Sequence, residues 1–333
     1  MKQFNTKILG TGSYLPDKIL TNFDIAKRVD TSHDWIVERT GIHQRRISDL
    51  SKDENPSGMA ARAAMKALEA ANLTPNDIDC ILLSSTLADQ PMPNAASMIQ
   101  FKLGITNNCP ALDVNAACSG WMYLVPMADA MIKTGMYKHI LVVGSEMLSS
   151  FNNWDDRNTC ILFGDGCGCA ILGRASENED SKIYSTVLSS DSSKKDHLTL
   201  WAGGSNKKIT KEVLDNNEQW MTMNGQEIFK SAVKTMAAHA EKVVKDAELT
   251  LNDVDWFIPH QANLRIIEAV GNRFGFPPEK VIINVDKYAN TSSATVPVAL
   301  DEAIRDGRIK RGDNVLLAAF GAGLTAGAVF LKY

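Results

Sequence analysis

The chain has 333 residues, 44% of them hydrophobic and 22% charged, with a formal net charge of −4. That length buries one large core or two ordinary ones, and the mildly acidic balance argues against nucleic acid or a membrane surface as the main partner. The start, MKQFNTKILG, lacks the apolar stretch of a secretory signal, and six cysteines without a C-x-x-C pair suit a cytoplasmic chain with reduced thiols.

In chain order, ILGTGSYLP carries two of the three glycines of a dinucleotide fingerprint and then a proline, so it reads as strand and turn. DWIVERTGIHQRR follows, joining Trp35 with Arg39, Arg45 and Arg46. That is a solvated face, or an aromatic and guanidinium surface able to stack an adenine and grip phosphate. ANLTPNDIDCILLSS, from Ala71, is matched 176 residues later by AELTLNDVDWFIPHQ, from Ala247. Each copy follows a helical pattern and turns through Asn-Asp-x-Asp into an apolar run typical of a buried strand. In the second copy Phe229, Val233, Met236, Ala240, Val243 and Ala247 form one apolar helix face.

Next comes DVNAACSGW, with Cys118 among small residues. A free thiol there packs as a small hydrophobe, or serves as a nucleophile. It follows the strand-like PALDV and precedes a helical segment, where backbone N–H groups and the helix dipole favour a thiolate. Pro126 should kink that helix beyond its first turn. The segment MADAMIKTGMYKHILVVG, from Met127, has its own match 172 residues on, from Ala299, with glycine stops at Gly135 and Gly307. FGDGCGCAIL then reads as a tight turn beside packed backbone, and its Cys160, Cys167 and Cys169 neighbourhood as strand packing.

Two related α/β halves with mostly parallel sheets follow from the repeats, joined in or after the polar stretch at 173–180. A polar excursion at about 190–222 reads as a surface loop or cap. The offsets carry Cys118 onto Asn290, in YANTSSATVP, and His260, in IPHQAN, back onto Ser84. If the halves pack about a pseudo-twofold axis, Cys118, His260 and Asn290 can share one site. Singly, His260 suits a hydrogen-bonded core position and Asn290 a helix cap. FGAGLTAG, from Phe320, ends an apolar strand and can offer backbone N–H groups to an oxyanion. The run containing it, AAFGAGLTAGAVFL, is too short and glycine-broken for a membrane span and reads as buried strand.

The stretches DTSHDWIVERTGI, DVNAACSGW, FGDGCGCAIL, MTMNGQEIFK, PHQANLRII, NTSSATVP and AFGAG, in this order, resemble the β-ketoacyl-acyl-carrier-protein synthase III family of thiolase-superfamily condensing enzymes. The resemblance covers nearly the whole chain. It implies a thiolase-like five-layer α-β-α-β-α fold of two duplicated halves, residues 1–172 with the nucleophile and 173–333 with His260 and Asn290. It implies Cys118 as acyl acceptor, His260 and Asn290 as the pair binding a malonyl thioester carbonyl, and the N–H groups of Cys118 and Ala322 as oxyanion hole. Trp35, Arg39, Arg157 and Asn263 match coenzyme A contacts, Lys230, Arg265 and Arg273 a face docking acyl carrier protein, and Met92 and Phe320 the acyl pocket. Met92 stands where an aromatic from the partner subunit is common, and Ala322 where the family usually has the middle of three glycines. The expected reaction condenses an acyl-CoA primer with malonyl carrier protein to start fatty-acid synthesis, in a homodimer, without metal or further cofactor. Alternatives are a relative starting a specialised polyketide or alkylquinolone-type product, and a non-catalytic CoA- or carrier-binding homologue.

Overall fold

A computed structural model describes residues 4–333. The first half supplies β1 (Thr6–Tyr14), β2 (Ile19–Thr21), α1 (Asn22–Ile25), α2 (His33–Thr40), β3 (Gln44–Arg46) and α3 (Pro56–Ala71). It continues with β4 (Cys80–Ser84), α4 (Ala95–Lys102), β5 (Ala111–Asp113), α5 (Gly120–Lys133), β6 (His139–Met147), α6 (Arg157–Cys160) and β7 (Asp165–Arg174). The second half opens with β8 (Lys182–Ser190), β9 (Leu198–Leu200), α7 (Lys211–Asp215), β10 (Met221–Met223) and α8 (Gly225–Asp246). It closes with β11 (Trp256–Pro259), α9 (Leu264–Phe274), α10 (Val285–Tyr288), α11 (Thr295–Arg305), β12 (Asn314–Gly321) and β13 (Thr325–Lys332).

The two large sheets run β1-β7-β6-β4-β5 and β8-β13-β12-β11. Taking β8 for β1, β13 for β7, β12 for β6 and β11 for β4, the second order repeats the first, short of the edge strand β5. The copies agree in detail. Thr74 and Thr250 each form a capping box, their backbone N–H donating to Asp77 and Asp253 at 2.7 and 2.8 Å. Asp79 and Asp255 then each accept from the first N–H groups of the next strand over, at Lys138 and Asn314, both at 2.8 Å. Gly135 and Gly307 end the intervening helices at φ 81° and 78°, a conformation in which a Cβ would be strained.

Alternate residues of the buried strands face different cores. Leu82, Val142, Val315 and Leu317 point inward with α5 and α11. Ile81, Leu83, Leu141 and Val143 pack outward on α3 and α4. Leu316, Ala318 and Phe330 pack outward on α8 and α9. The result is the five-layer α-β-α-β-α arrangement of the thiolase fold, with α5 and α11 in the shared middle layer.

The sheets are mixed rather than mostly parallel. Only β4 with β5, β4 with β6, and β11 with β12 run parallel; β1, β7, β8 and β13 pair antiparallel. The apolar run expected as one buried strand is a hairpin, β12 and β13, folded at residues 322–324. A helix has to cross between parallel neighbours, whereas a tight turn enforces the antiparallel pairing seen here. Helix α5 continues past Pro126 to Lys133.

Candidate active site

The middle layer brings the two halves' equivalent turns together. Cys118 sits in a one-turn 3₁₀ segment, Ala117–Ser119, directly before α5; Asn290 precedes the equivalent 3₁₀ turn, Ser292–Ala294, directly before α11. The first residue of each turn, Ala117 and Ser292, takes positive φ at 47° and 51°, so Ser293 is the position equivalent to Cys118 and Asn290 sits three residues ahead of it. Such strain at matching positions is held by the surrounding packing. Asn290 is tied to the opposite half: its N–H donates to the Leu162 carbonyl at 2.9 Å, and its carbonyl accepts from the Gly164 N–H at 3.1 Å. His260 directly follows β11, its N–H donating to the Ala318 carbonyl at 2.8 Å.

Cys118, His260 and Asn290 all line one cleft of about 710 Å³ that opens to solvent. Its apolar wall comes largely from Ile228, Phe229, Ala232 and Met236 on α8, with Leu198 and Met223 from β9 and β10 of the polar excursion in the second half. Of these six, Phe229 and Met236 read from the sequence only as core, Met223 and Ile228 lie in the MTMNGQEIFK stretch without an assigned role, and Leu198 and Ala232 had no signal. The 190–222 excursion is therefore a partial cap carrying the two-stranded β9-β10 sheet.

Electrostatics differ from expectation at the thiol. Burial pushes Cys118 up to about 11, the nearby Glu146 charge adds to the rise, and the Ser292 hydroxyl and the N–H groups of Cys118 and Ala322 only partly oppose it. The thiol is protonated at rest. The expected lowering by the helix terminus is outweighed because the sulfur is enclosed and a buried carboxyl group lies near it. Glu146, not among the candidates read from the sequence, is fully buried; burial pushes it up to about 7 although it accepts from Ser293 Oγ at 2.7 Å and from Thr86 N–H at 2.9 Å. Burial alone drives His260 down to about 3, so it is neutral.

The donors in the cleft are fixed. Asn290 Oδ1 accepts from the Ser292 N–H at 2.8 Å, which turns its NH₂ toward the cleft and makes it an Asx turn rather than a helix cap. The turn at Ala322 is tied to the turn at Cys118 by Thr325, whose hydroxyl lies 2.9 Å from both the Ala116 and Ala322 carbonyl oxygens. Gly321 approaches so closely that an added Cβ would lie 2.7 Å from the Cys118 nitrogen. Two backbone N–H groups thus face the Cys118 sulfur from either side of a rigid junction.

At the cleft's outer side Trp35 on α2 carries two guanidinium groups, Arg39 at 4.4 Å and Arg157 at 4.7 Å from the ring centre. Asn263 lines the cleft, but its side chain is committed at both ends: Oδ1 accepts from Arg265 N–H at 2.9 Å, and Nδ2 donates to the Arg39 carbonyl at 3.0 Å. It links the Trp35 helix to α9. Phe320 lines the cleft as expected, whereas Met92 is 84% exposed and lies outside the cleft of its own chain. Lys230, Arg265 and Arg273 are exposed, Lys230 paired with Glu227 at 3.0 Å and Arg273 with Glu241 at 3.6 Å. No described helix is long and apolar enough to cross a membrane.

Residues 112–192 match the family 3-oxoacyl-[acyl-carrier-protein (ACP)] synthase III, and residues 244–333 match its C-terminal part. A β-ketoacyl-[acyl-carrier-protein] synthase III of Caldanaerobacter subterraneus subsp. tengcongensis is 47% identical over 98% of this chain and 97% of its own. The crystal structure of 3-oxoacyl-[acyl-carrier-protein] synthase III from Aquifex aeolicus VF5 superposes with a TM-score of 0.90 at 42% identity, over 98% of this chain and 100% of that one. The priming β-ketosynthase of the R1128 polyketide pathway gives a TM-score of 0.90 at 31% identity, over 99% and 97%. With its duplicated fold and its cysteine, histidine and asparagine in one cleft, the chain belongs to the β-ketoacyl-acyl-carrier-protein synthase III family of condensing acyltransferases.

Proposed function

We propose that the chain performs a decarboxylative Claisen condensation of a short acyl-CoA with malonyl carrier protein, through an acyl-Cys118 intermediate. The observation that carries this reading is the convergence of Cys118, a neutral His260 and an oriented Asn290 amide on one cleft. The acyl thioester carbonyl lies against the N–H groups of Cys118 and Ala322 while the sulfur attacks; the Cys118 proton is lost in that step and coenzyme A leaves as the thiol. The malonyl thioester then places its carbonyl oxygen against His260 and Asn290. Its carboxylate departs as CO₂, the bond's electron pair moves into the enolate, and the two neutral donors hold the charge without trapping it as an ion pair. The enolate carbon attacks acyl-Cys118, the sulfur leaves as the thiolate, and a solvent proton regenerates the thiol. No group beyond the two thioester substrates enters these steps.

Trp35, Arg39 and Arg157 form the face for the adenine and phosphates, with Asn263 holding that face to the cleft. Lys230, Arg265 and Arg273 form the basic surface for an acidic carrier protein. A cytoplasmic homodimer suits the reading: β5 is an open sheet edge, and Leu112 on it, Phe101 on α4 and Met92 are exposed at 43%, 78% and 84%. In such a dimer Met92 would complete the partner's acyl pocket, and its flexible side chain bears on primer choice.

Intact-mass measurement after incubation with acyl-CoA should show one acyl adduct, absent in Cys118→Ala, and malonyl carrier protein should discharge it to a β-ketoacyl product. An adduct on Cys118→Ala overturns the assignment. Likeness to a polyketide priming enzyme favours a second reading in product fate; discharge by malonyl-CoA but not by malonyl carrier protein would establish it.

A further inference from the structure

Thr295, buried at 2% exposure, opens α11 directly beneath His260. Its hydroxyl oxygen lies 2.6 Å from His260 Nδ1 and 3.0 Å from the Ser292 carbonyl oxygen. The hydroxyl has one proton for two acceptors, and its choice decides what the cleft sees. If the proton goes to Ser292, Nδ1 must carry the ring hydrogen and donate to Thr295, leaving Nε2 as a bare acceptor. If it goes to Nδ1, the ring hydrogen sits on Nε2, which becomes a donor.

The distances separate the two arrangements. Ring N–H donors sit about 2.7–3.2 Å from oxygen, while hydroxyl donors reach down to about 2.5 Å. The contact to Nδ1 is short for a ring N–H donor and is the closer of the hydroxyl's two, while the contact to the carbonyl is at the long end for a hydroxyl donor. Chemistry agrees. A carboxylate at Nδ1 would stabilise an imidazolium; a hydroxyl does not, and among the described residues no carboxylate hydrogen-bonds to this ring.

We propose that Thr295 is a positioning residue that donates to His260 Nδ1 and so fixes the ring proton on Nε2, presenting the cleft with a neutral donor beside the Asn290 amide. One stretch of chain, residues 290–295, then orients both donors: the Ser292 N–H holds Asn290 Oδ1, and the Thr295 hydroxyl holds His260 Nδ1. The inference deepens the function proposed above and rests on it for what the donors do. In the decarboxylation the carbon–carboxylate bond breaks, CO₂ leaves, and its electron pair forms the enolate. Nε2–H donates a hydrogen bond to the enolate oxygen and keeps its proton.

The test compares wild type with Thr295→Val, which keeps the branched shape, and Thr295→Ser, which restores the hydroxyl. The two half-reactions are followed separately, as acyl-CoA labelling by intact mass and as CO₂ release from a malonyl thioester. ¹⁵N-histidine spectra report the His260 tautomer. Wild type and Thr295→Ser should show the proton on Nε2. In Thr295→Val decarboxylation should fall at least about 10-fold, as for partial loss of one such donor, with acylation changed less than about 3-fold, and Thr295→Ser should recover. A wild-type spectrum with the proton on Nδ1 overturns the proposal. So does equal loss in both half-reactions, or a Thr295→Val enzyme that decarboxylates at the wild-type rate. Failure of the underlying function is distinguishable, because it would appear as acylation surviving Cys118→Ala whatever stands at position 295.

Discussion

His260 makes a pH-dependent contribution to stability that can be worked out from its burial. Its folded value near 3 lies far below the ordinary 6.5, so the unfolded chain takes up a proton on acidification that the folded chain refuses. Stability from this group is complete above pH 6.5 and is lost as pH falls toward the folded value. At pH 7.5 an ordinary histidine is almost wholly neutral and the two states are balanced; at pH 5.0 the unfolded state gains about 2 kcal/mol. That figure depends only on the folded value lying well below 5. The perturbation is His260→Asn, which removes the titration and keeps a neutral polar group. Urea unfolding of both proteins at the two pH values isolates the effect, since Glu146, whose folded value near 7 falls in the same window, is present in both and cancels. Wild type should lose about 2 kcal/mol relative to His260→Asn between pH 7.5 and 5.0. A gap that stays constant within about 0.5 kcal/mol would mean that the folded protein protonates this ring as an ordinary histidine does. The neutral-donor account of decarboxylation would then fail with it.

Gly120→Ala should destabilise the junction under the thiol, because the new Cβ would lie 1.7 Å from Ser84 Oγ and 2.8 Å from Ser84 Cβ. A loss of about 2–3 kcal/mol in urea unfolding is expected, relieved in part by Ser84→Gly in the same chain, and an unchanged midpoint would refute the close packing of α5 on β4. Trp35→Ala removes the ring on which Arg39 and Arg157 rest, at about 1 kcal/mol or somewhat more, so KM for acyl-CoA should rise about 5- to 10-fold with kcat nearly constant. A fall in kcat at constant KM would remove Trp35 from the binding face.

The duplication was legible because its parts are local. A capping box, an aspartate receiving the next strand's N–H groups and a glycine stop are short-range devices, and each appears twice in the same order. From it the meeting of the turns that carry Cys118 and Asn290 could be read, since each half has one 3₁₀ turn opening on a positive-φ residue and leading into the middle layer, although the residue opposite Cys118 is Ser293 and Asn290 lies three residues ahead of it. Strand direction was not legible. Strands buried on both faces lose the alternation that marks single strands, so β12, its turn and β13 ran together as one apolar stretch. The proton affinity of Cys118 was not legible either, and for a deeper reason. The helix N-terminus that favours a thiolate is contiguous with the cysteine in sequence, but Glu146 comes from the end of β6 and the enclosing wall from α8. The one available clue to Glu146 was an acid closing the apolar strand ILVVGSEM, where a charge has no local reason to be. With Glu146 close by, a permanent thiolate would stand against a second buried acid, and burial disfavours the charged form of both. On the proposed function the site keeps the thiol protonated until a thioester arrives, and the two backbone donors at Cys118 and Ala322 would then act on the oxyanion rather than on a sulfur already ionised.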